Sequence, residues 1–313
     1  MTRVHTLDET KAILDVFQKH GHTEIDTARV YGEGSSEEYL GDLQWKSHGF
    51  QMDTKLYPTG IGLVKDKEAW SHSPEDLRNG LMSSLKALKT DKLEMWYLHG
   101  PDRTTPFEVT LREVDKLHKE GYFKRFGISN YMSWEVAQIC EICNKNGWIK
   151  PTVYQGLYNA LHRAVEAELI SCLRYYGLSL YSFNPLAGGF LTDRYHRDKT
   201  DFEEGSRFDP NRLQGKLHHG RYWNDAYFGA LEILRPVAKK YGLTESQCAL
   251  RWLSHHSQLK KELGDAVIVG ASSTKHLEQN LEALEQGPLP DEVVQALDEG
   301  WGLIRGVPLK FWH

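Results

Sequence analysis

Four side chains in the first third of the chain could do chemistry together. Thr23-Glu24-Ile25-Asp26 reads as a short strand that ends on an acid, and Tyr31 follows five residues later. Two further strand-like runs end on bases: Phe50 to Lys55, and Met95 to His99. A phenol is a poor acid at neutral pH, with a free pKa near about 10, and a nearby ammonium favours its phenolate. Tyr31 beside Lys55 is therefore expected to be a tuned proton donor, with Asp26 keeping Lys55 charged and oriented. His99 would hydrogen-bond a substrate carbonyl or relay the proton. That set suits carbonyl reduction, in which hydride attacks carbon while a phenol protonates oxygen. None of the four can donate hydride, so a nicotinamide is required. Each residue also has an ordinary reading: Asp26 as a cap or ion-pair partner, Tyr31 as packing, Lys55 and His99 as incidental strand ends.

The four need a scaffold that delivers strand ends to one place. Helical apolar spacing recurs over Asp8 to His20, with Asp8 expected as the cap, and over Pro74 to Lys89, Phe107 to Glu120, Trp134 to Asn146 and Val165 to Tyr176. Strands are expected between these helices, up to Ser129, over Thr152 to Gln155 and over Leu178 to Phe183. Later come helices over Tyr227 to Tyr241, Ser246 to His255, Thr274 to Glu285 and Asp291 to Leu303, and a last strand over Ala266 to Gly270. This alternation predicts one α/β domain over 1–313 with a mostly parallel sheet. No Gly-x-Gly-x-x-Gly follows an early strand, which argues against a doubly wound dinucleotide fold. Polar candidates after nearly every strand favour a TIM-type (β/α)8 barrel.

Two stretches break the rhythm. Leu191 to Asn224 is long and polar, with Tyr195, Phe202, Phe208, Tyr222 and Trp223. It is expected to be a lid or a substrate and cofactor loop rather than core. Arg212 or Arg221 is expected to grip an anionic group there, and Arg221 with Tyr222 to meet substrate. The tail, residues 304–313, carries Leu309, Phe311 and Trp312 and is expected to cover a barrel mouth or a partner.

Composition bounds the partners. The chain has 313 residues, 40% hydrophobic and 26% charged, with a formal net charge of -5. This balance offers no electrostatic case for nucleic acid or an anionic membrane. No apolar run is long enough to span a bilayer and no signal core opens the chain, so the cytoplasm is the expected compartment. Four cysteines do not make a disulfide scaffold. Cys140 and Cys143 are three apart inside a helical run, which reads as packing, and no metal site is expected.

Several motifs together resemble the aldo-keto reductase superfamily, above all its aflatoxin aldehyde reductase branch. They are His22-Thr23-Glu24-Ile25-Asp26-Thr27-Ala28, Tyr97-Leu98-His99, Gly127-Ile128-Ser129-Asn130 and Phe183-Asn184-Pro185-Leu186-Ala187-Gly188-Gly189. Thr152 to Gly156, Arg221-Tyr222-Trp223 and Ser254 to Leu259 strengthen the likeness, which covers essentially the whole chain. The resemblance implies an NADPH-dependent reductase in which Asp26, Tyr31, Lys55 and His99 form a catalytic tetrad. It implies that Ser129, Asn130 and Gln155 bind the nicotinamide carboxamide and that Phe183 lies against its ring. Asn184, Leu186 and Gly188 would follow the pyrophosphate, and Gly270, Ser272, Gln279 and Asn280 would clamp the adenosine phosphate. His276 stands where close relatives carry Gln.

The expected substrate is a small carbonyl compound: an aldehyde, including dialdehydes and ketoaldehydes, or a quinone. The expected setting includes secondary metabolism, and a homodimer is the assembly the reading admits. Alternatives are an aryl-alcohol dehydrogenase, a biosynthetic tailoring reductase, or a nucleotide-holding regulatory barrel similar to potassium-channel beta subunits. Relatives of this kind open with a further strand, containing a Gly, that precedes the first strand here. Strand ends near Asp26, Lys55, His99, Ser129, Gln155, Phe183 and Gly270 are one short of closure. The expectation is thus seven parallel strands with a gap beside the strand ending at Asp26.

Overall fold

The computed structural model describes residue 4 and residues 6–59, 70–307 and 310–313. Seven parallel strands run in chain order: β1 (Glu24–Asp26), β2 (Gln51–Leu56), β3 (Leu93–Leu98), β4 (Phe123–Ser129), β5 (Val153–Leu157), β6 (Ser179–Phe183) and β7 (Ala266–Val267). Each pairs with the next, and among the described residues no pairing joins β7 to β1. This is a (β/α)8-type barrel with one strand position open. Strand β7 is shorter than the apolar run to Gly270 suggests. Beyond Val267 the ladder is continued by Ile268 N to Ser182 O at 2.8 Å, and among the described residues no strand pairs with the far edge of β7.

Helices return the chain between strands: α1 (Leu7–Lys19), α2 (Ser35–Asp42), α3 (Pro74–Ala87), α4 (Phe107–Lys119), α5 (Ser133–Asn146) and α6 (Leu169–Tyr176). Helix α1 is capped by Thr6 rather than Asp8. Thr6 Oγ1 accepts from Glu9 N, and Glu9 Oε2 accepts from Thr6 N, a reciprocal pair that leaves Asp8 in the first turn. The run from Val165 is also not one helix. A single 3-10 turn over Ala164–Glu166 precedes α6. Cys140 and Cys143 are buried on α5, and burial pushes both thiols up to about 12, which keeps them inert.

The chain builds two cores. The larger lies between the outer face of the sheet and the helices, where Trp96, Phe126, Tyr154 and Leu180 meet Leu81, Leu117, Ile139 and Leu173. The smaller lies inside the barrel and consists of Met95, Tyr97 and Val153, with Tyr181 against them. Gly127 makes room for it, because a Cβ there would sit 2.2 Å from the Tyr97 ring. The barrel axis is therefore apolar only in part, and other inward positions, Asp26, Asp53 and Lys55 among them, carry ionisable side chains.

The segment after β6 follows an irregular path before its first helix, yet it is packed against the barrel. It contains α7 (Leu213–Tyr222) and is followed by α8 (Asp225–Lys240), α9 (Glu245–His255), α10 (Thr274–Glu285) and α11 (Asp291–Ile304). Tyr195, Phe208 and Tyr222 are buried and belong to the main core, contrary to the expectation drawn from their polar surroundings. Phe190 is their hub, with ring centroids 5.2 Å from Phe228, 6.1 Å from Phe208 and Tyr227, and 6.3 Å from Tyr222 and Trp223. Periodicity misses such a cluster because its members come from an irregular path.

If this cluster is core, Phe190→Ala destabilises the whole protein by about 3–5 kcal/mol. Urea unfolding followed by tryptophan fluorescence measures it. A loss under about 1 kcal/mol, the size of an ordinary surface substitution, would mean that residues 191–224 pack independently of the barrel.

Candidate active site

The site sits at the carboxyl ends of the strands, where Asp26 closes β1, Lys55 precedes the last residue of β2 and His99 follows β3. Asp26 and Asp53 are register partners across β1 and β2, and Lys55 partners Tyr97 across β2 and β3. Lys55 Nζ donates to Asp26 Oδ2 at 2.6 Å and to Thr27 O at 2.8 Å, and lies 3.5 Å from the Tyr31 hydroxyl. Tyr31 OH is 3.4 Å from His99 Nε2, and the two rings meet edge to face. Four residues from three strand ends thus make one contact chain.

Local structure holds each member. His99 follows β3, with its N bonded to Leu56 O at 2.9 Å. The segment carrying Tyr31 is pinned by Thr27 Oγ1 to Ser36 Oγ at 2.9 Å and by Arg29, which donates to Gly34 O and pairs with Glu38. Gly34 has φ +99, and a Cβ there would strike the Arg29 guanidinium at 2.6 Å. Only glycine meets both demands.

Charge in the site follows from burial. Burial alone depresses the Lys55 ammonium, but Asp26 and Tyr31 outweigh it and hold its pKa above the ordinary lysine value. Lys55 is 1% exposed and charged. His99 is driven well below the usual histidine range, first by burial and then by Lys55 and His313, so its imidazole is neutral. Its Nδ1 is buried and has no hydrogen-bond partner among the described residues. A bare acceptor is cheaper than a bare donor, so the proton belongs on Nε2, facing Tyr31.

The residues expected around the nicotinamide are continuous with this chain. Asn130 Nδ2 donates to His99 O at 2.8 Å and to Ser129 Oγ at 3.0 Å. Gln155 Nε2 donates to Asp26 Oδ1 at 2.6 Å. Phe183 closes β6, half-buried. Asn184 turns the chain with φ +55, and Leu186 leads into a turn where Gly188 has φ +70. A Cβ on Gly188 would lie 2.6 Å from His218 Nε2, an atom that is buried without a partner. Gly270 and Ser272 precede α10, whose cap Ser273 accepts from His276 N, and Ser272 Oγ lies 3.0 Å from His276 Nδ1. On α10 Gln279 is exposed and Asn280 buried.

The expected contacts of the long segment are redistributed. Tyr222 is fully buried in the aromatic cluster, so its ring presents no open surface to a substrate. Arg212 is exposed and lies 3.6 Å from Asp209. Arg221 is half-buried, close enough to His313 to join burial and Arg103 in holding that imidazole at about 4. Arg207, unremarked in the sequence, reaches the strand ends. Its Nη1 donates to Asn184 Oδ1 at 3.1 Å, and its Nη2 is 3.8 Å from a Cβ built on Gly270.

Two more residues at the mouth escaped sequence reasoning. Tyr57 stands edge-on to His99 at 5.4 Å, and its OH is 3.2 Å from His313 Nδ1. The inward alternation of Asp53 and Lys55 on β2, continued to Tyr57 just past its end, was the available signal for Tyr57. His313 has no local signal. Its N donates to Asn130 O at 3.1 Å and its O accepts from Arg103 at 2.7 Å, which places the tail over the mouth. Pro308, Leu309 and residues 60–69 lie outside the described residues.

Residues 3–301 match the Aldo/keto reductase family. The chain belongs to this family. It is 54% identical to an aldo-keto reductase of Pseudocercospora fijiensis (strain CIRAD86), over 94% of this chain and 97% of that protein. It is 53% identical to aldo-keto reductase pigE of Monascus ruber, over 99% and 92%. Human aflatoxin B1 aldehyde reductase member 2 is 43% identical, over 94% and 82%. This aldo/keto reductase is accordingly an oxidoreductase that reduces small carbonyl compounds to alcohols with a nicotinamide cofactor. The donor set fits that cofactor. Amide and hydroxyl groups adjoin the tetrad, and an arginine and a capped helix N-terminus stand further out, where phosphate would lie. Among the described residues no helix is long and apolar enough to cross a membrane.

The neutral histidines of this aldo/keto reductase make its stability depend on pH. Burial, aided by Arg221, pushes His162 down to about 3; burial, aided by Arg207 and Arg221, pushes His218 down to about 4; burial pushes His72 down to about 4. Unfolded histidines bind a proton near pH 6.5, and these folded ones do so only near 3–4. Below about 6.5 the unfolded chain therefore binds more protons, and stability is lost as pH falls, by at most about 1.4 kcal/mol per histidine per pH unit. Urea midpoints at neutral and mildly acidic pH should drop accordingly, and midpoints that stay level would contradict the neutral assignments.

Proposed function

We propose that this chain reduces aldehydes to alcohols using NADPH, with Tyr31 as proton donor. The observation that supports this most directly is the contact chain itself. One buried ammonium touches Asp26 at 2.6 Å and lies 3.5 Å from the Tyr31 hydroxyl, which in turn is 3.4 Å from a neutral imidazole. When bound, the nicotinamide supplies the hydride. Everything else falls to the side chains. His99 donates from Nε2 to the carbonyl oxygen and orients it. Negative charge grows on that oxygen as its carbon is reduced, and Tyr31 gives it a proton. Lys55 stabilises the phenolate left behind, and Asp26 keeps Lys55 charged and aimed. Tyr57 and His313 wall the carbonyl side and limit water.

Ser129, Asn130 and Gln155 would hold the carboxamide, and Phe183 the face of the ring. Asn184, Leu186, Gly188 and Arg207 would hold the pyrophosphate. Residues 191–224 thus serve the cofactor through Arg207 more directly than through Arg212. Gly270, Ser272, Gln279 and Asn280 would take the adenosine end, with Lys275 and His276 placed for a 2'-phosphate at the N-terminus of α10. Aldehydes are favoured over bulky ketones because Tyr57 and His313 close over His99.

Tyr31→Phe keeps the ring and removes the acid, so cofactor affinity should persist while turnover of a small aldehyde falls roughly 10²–10⁴-fold. Near-normal turnover would end the assignment. Fluorescence titration at one salt concentration should show NADPH binding more tightly than NADH, with the gap narrowed in a Lys275→Gln, His276→Gln double variant. Equal dissociation constants for the two cofactors in the unmodified protein would refute the phosphate assignment.

A further inference from the structure

One layer deeper in the barrel than Lys55 lies a carboxyl group that the mechanism does not use. Asp53 precedes Lys55 by two residues on β2, so both side chains point to the barrel interior. Its register partners are Asp26 on β1 and Met95 on β3. Asp53 is 1% exposed, and among the described residues its Oδ1 has no hydrogen-bond partner. A buried carboxylate in that condition would be costly, whereas a carboxylic acid would not.

The charged and titratable groups around it come from every neighbouring element. Strand β1 contributes Glu24 and Asp26, and Tyr31 follows it. Lys55 lies above on β2 itself. Strand β3 contributes Tyr97, whose buried hydroxyl is also unpartnered, and leads to the neutral His99. Strand β4 contributes Arg125, and β6 contributes Tyr181. Asp26 is committed to Lys55 at 2.6 Å. Glu24 accepts from Tyr181 OH at 3.3 Å, lies 3.9 Å from Arg125, and is the most open of the three acids. Of these three acids, Asp53 has no cation of its own among the described residues. Carboxylates packed this closely do not all ionise. Burial, followed by Glu24 and Asp26, pushes the Asp53 carboxyl well above the usual carboxylate range, against a smaller pull from Lys55.

We infer that Asp53 sets the alkaline limit of carbonyl reduction: it carries a proton in the barrel core at neutral pH, and loss of that proton draws the Lys55 charge away from Tyr31 and slows the reaction. While Asp53 is neutral, Lys55 faces one carboxylate and one phenol. Once Asp53 ionises, the same ammonium is shared between two carboxylates. Its attraction for the negative charge that Tyr31 acquires then weakens. The rate therefore falls on the alkaline side as Asp53 titrates, and a side chain that cannot ionise removes that fall.

The inference rests on the tetrad roles proposed above, and two measurements on the full chain separate it from them. Infrared difference spectra between the unmodified protein and Asp53→Asn, at neutral pH, should show the carbonyl stretch of one protonated carboxylic acid that fades as pH rises. This readout needs no catalysis. The pH profile of kcat for aldehyde reduction should keep its neutral plateau in Asp53→Asn, while its alkaline fall moves up by about one pH unit. Asp53→Ser should do the same and stands in if the amide disturbs folding. Absence of the acid band overturns the inference, as do coincident pH profiles or an equal loss at every pH, the mark of a purely structural role. Full activity in Tyr31→Phe would instead defeat the tetrad roles and leave the infrared result standing.

Discussion

A lysine ammonium buried at the end of a barrel strand is the constraint on which the rest depends. Lys55 has 1% of its surface exposed, and a lone charge so placed would shed its proton. Asp26 prevents this at 2.6 Å, with the Thr27 carbonyl as a second acceptor at 2.8 Å. Gln155 holds the other Asp26 oxygen, which ties β1 to β5 through the barrel interior. Pairing alone is not stabilising in such a place, since desolvation can exceed the attraction. The gain lies in having a fixed positive charge beside a phenol.

That arrangement explains the polar character of the barrel interior. Among the described residues a small core of Met95, Tyr97, Val153 and Tyr181 fills part of the axis, and Glu24, Asp26, Asp53, Lys55, Arg125 and Gln155 give it polar groups. Stability is supplied elsewhere, in the thick layer between sheet and helices. The aromatic cluster around Phe190 extends that layer to residues 191–224 and holds Arg207 against Asn184. The segment can therefore serve the strand ends without being loose. The tail does likewise, anchored by Arg103 to His313 and by His313 to Asn130.

Much of the architecture was legible along the chain. Strand-helix alternation gives a parallel sheet, because a parallel return needs a crossover. Helices α5 and α6 end at Asn146 and Tyr176 as their apolar spacing predicts, each followed by a glycine in the left-handed region, and α10 begins at Thr274 after its cap Ser273. The cap of α1 was misplaced by two residues because Thr6 and Asp8 both precede the apolar face, and only the reciprocal bonds with Glu9 distinguish them. The run after Val165 misled because its apolar spacing continues through a 3-10 turn that is not part of α6.

Residue types and spacings by themselves determined that Asp26, Lys55 and His99 end strands, that Tyr31 follows closely, and which family motifs surround them. These are local properties, carried by an alternating pattern and the residue that closes it. Tertiary structure alone decided that Tyr222 is core, that Arg207 rather than Arg212 reaches Asn184, and that Tyr57 and His313 meet over His99. It alone placed Asp53 among two other acids. The physical reason is common to all four. Contact between residues tens to hundreds of positions apart depends on register, burial and the path of irregular segments, and the field at a buried charge is the sum over whatever those bring near.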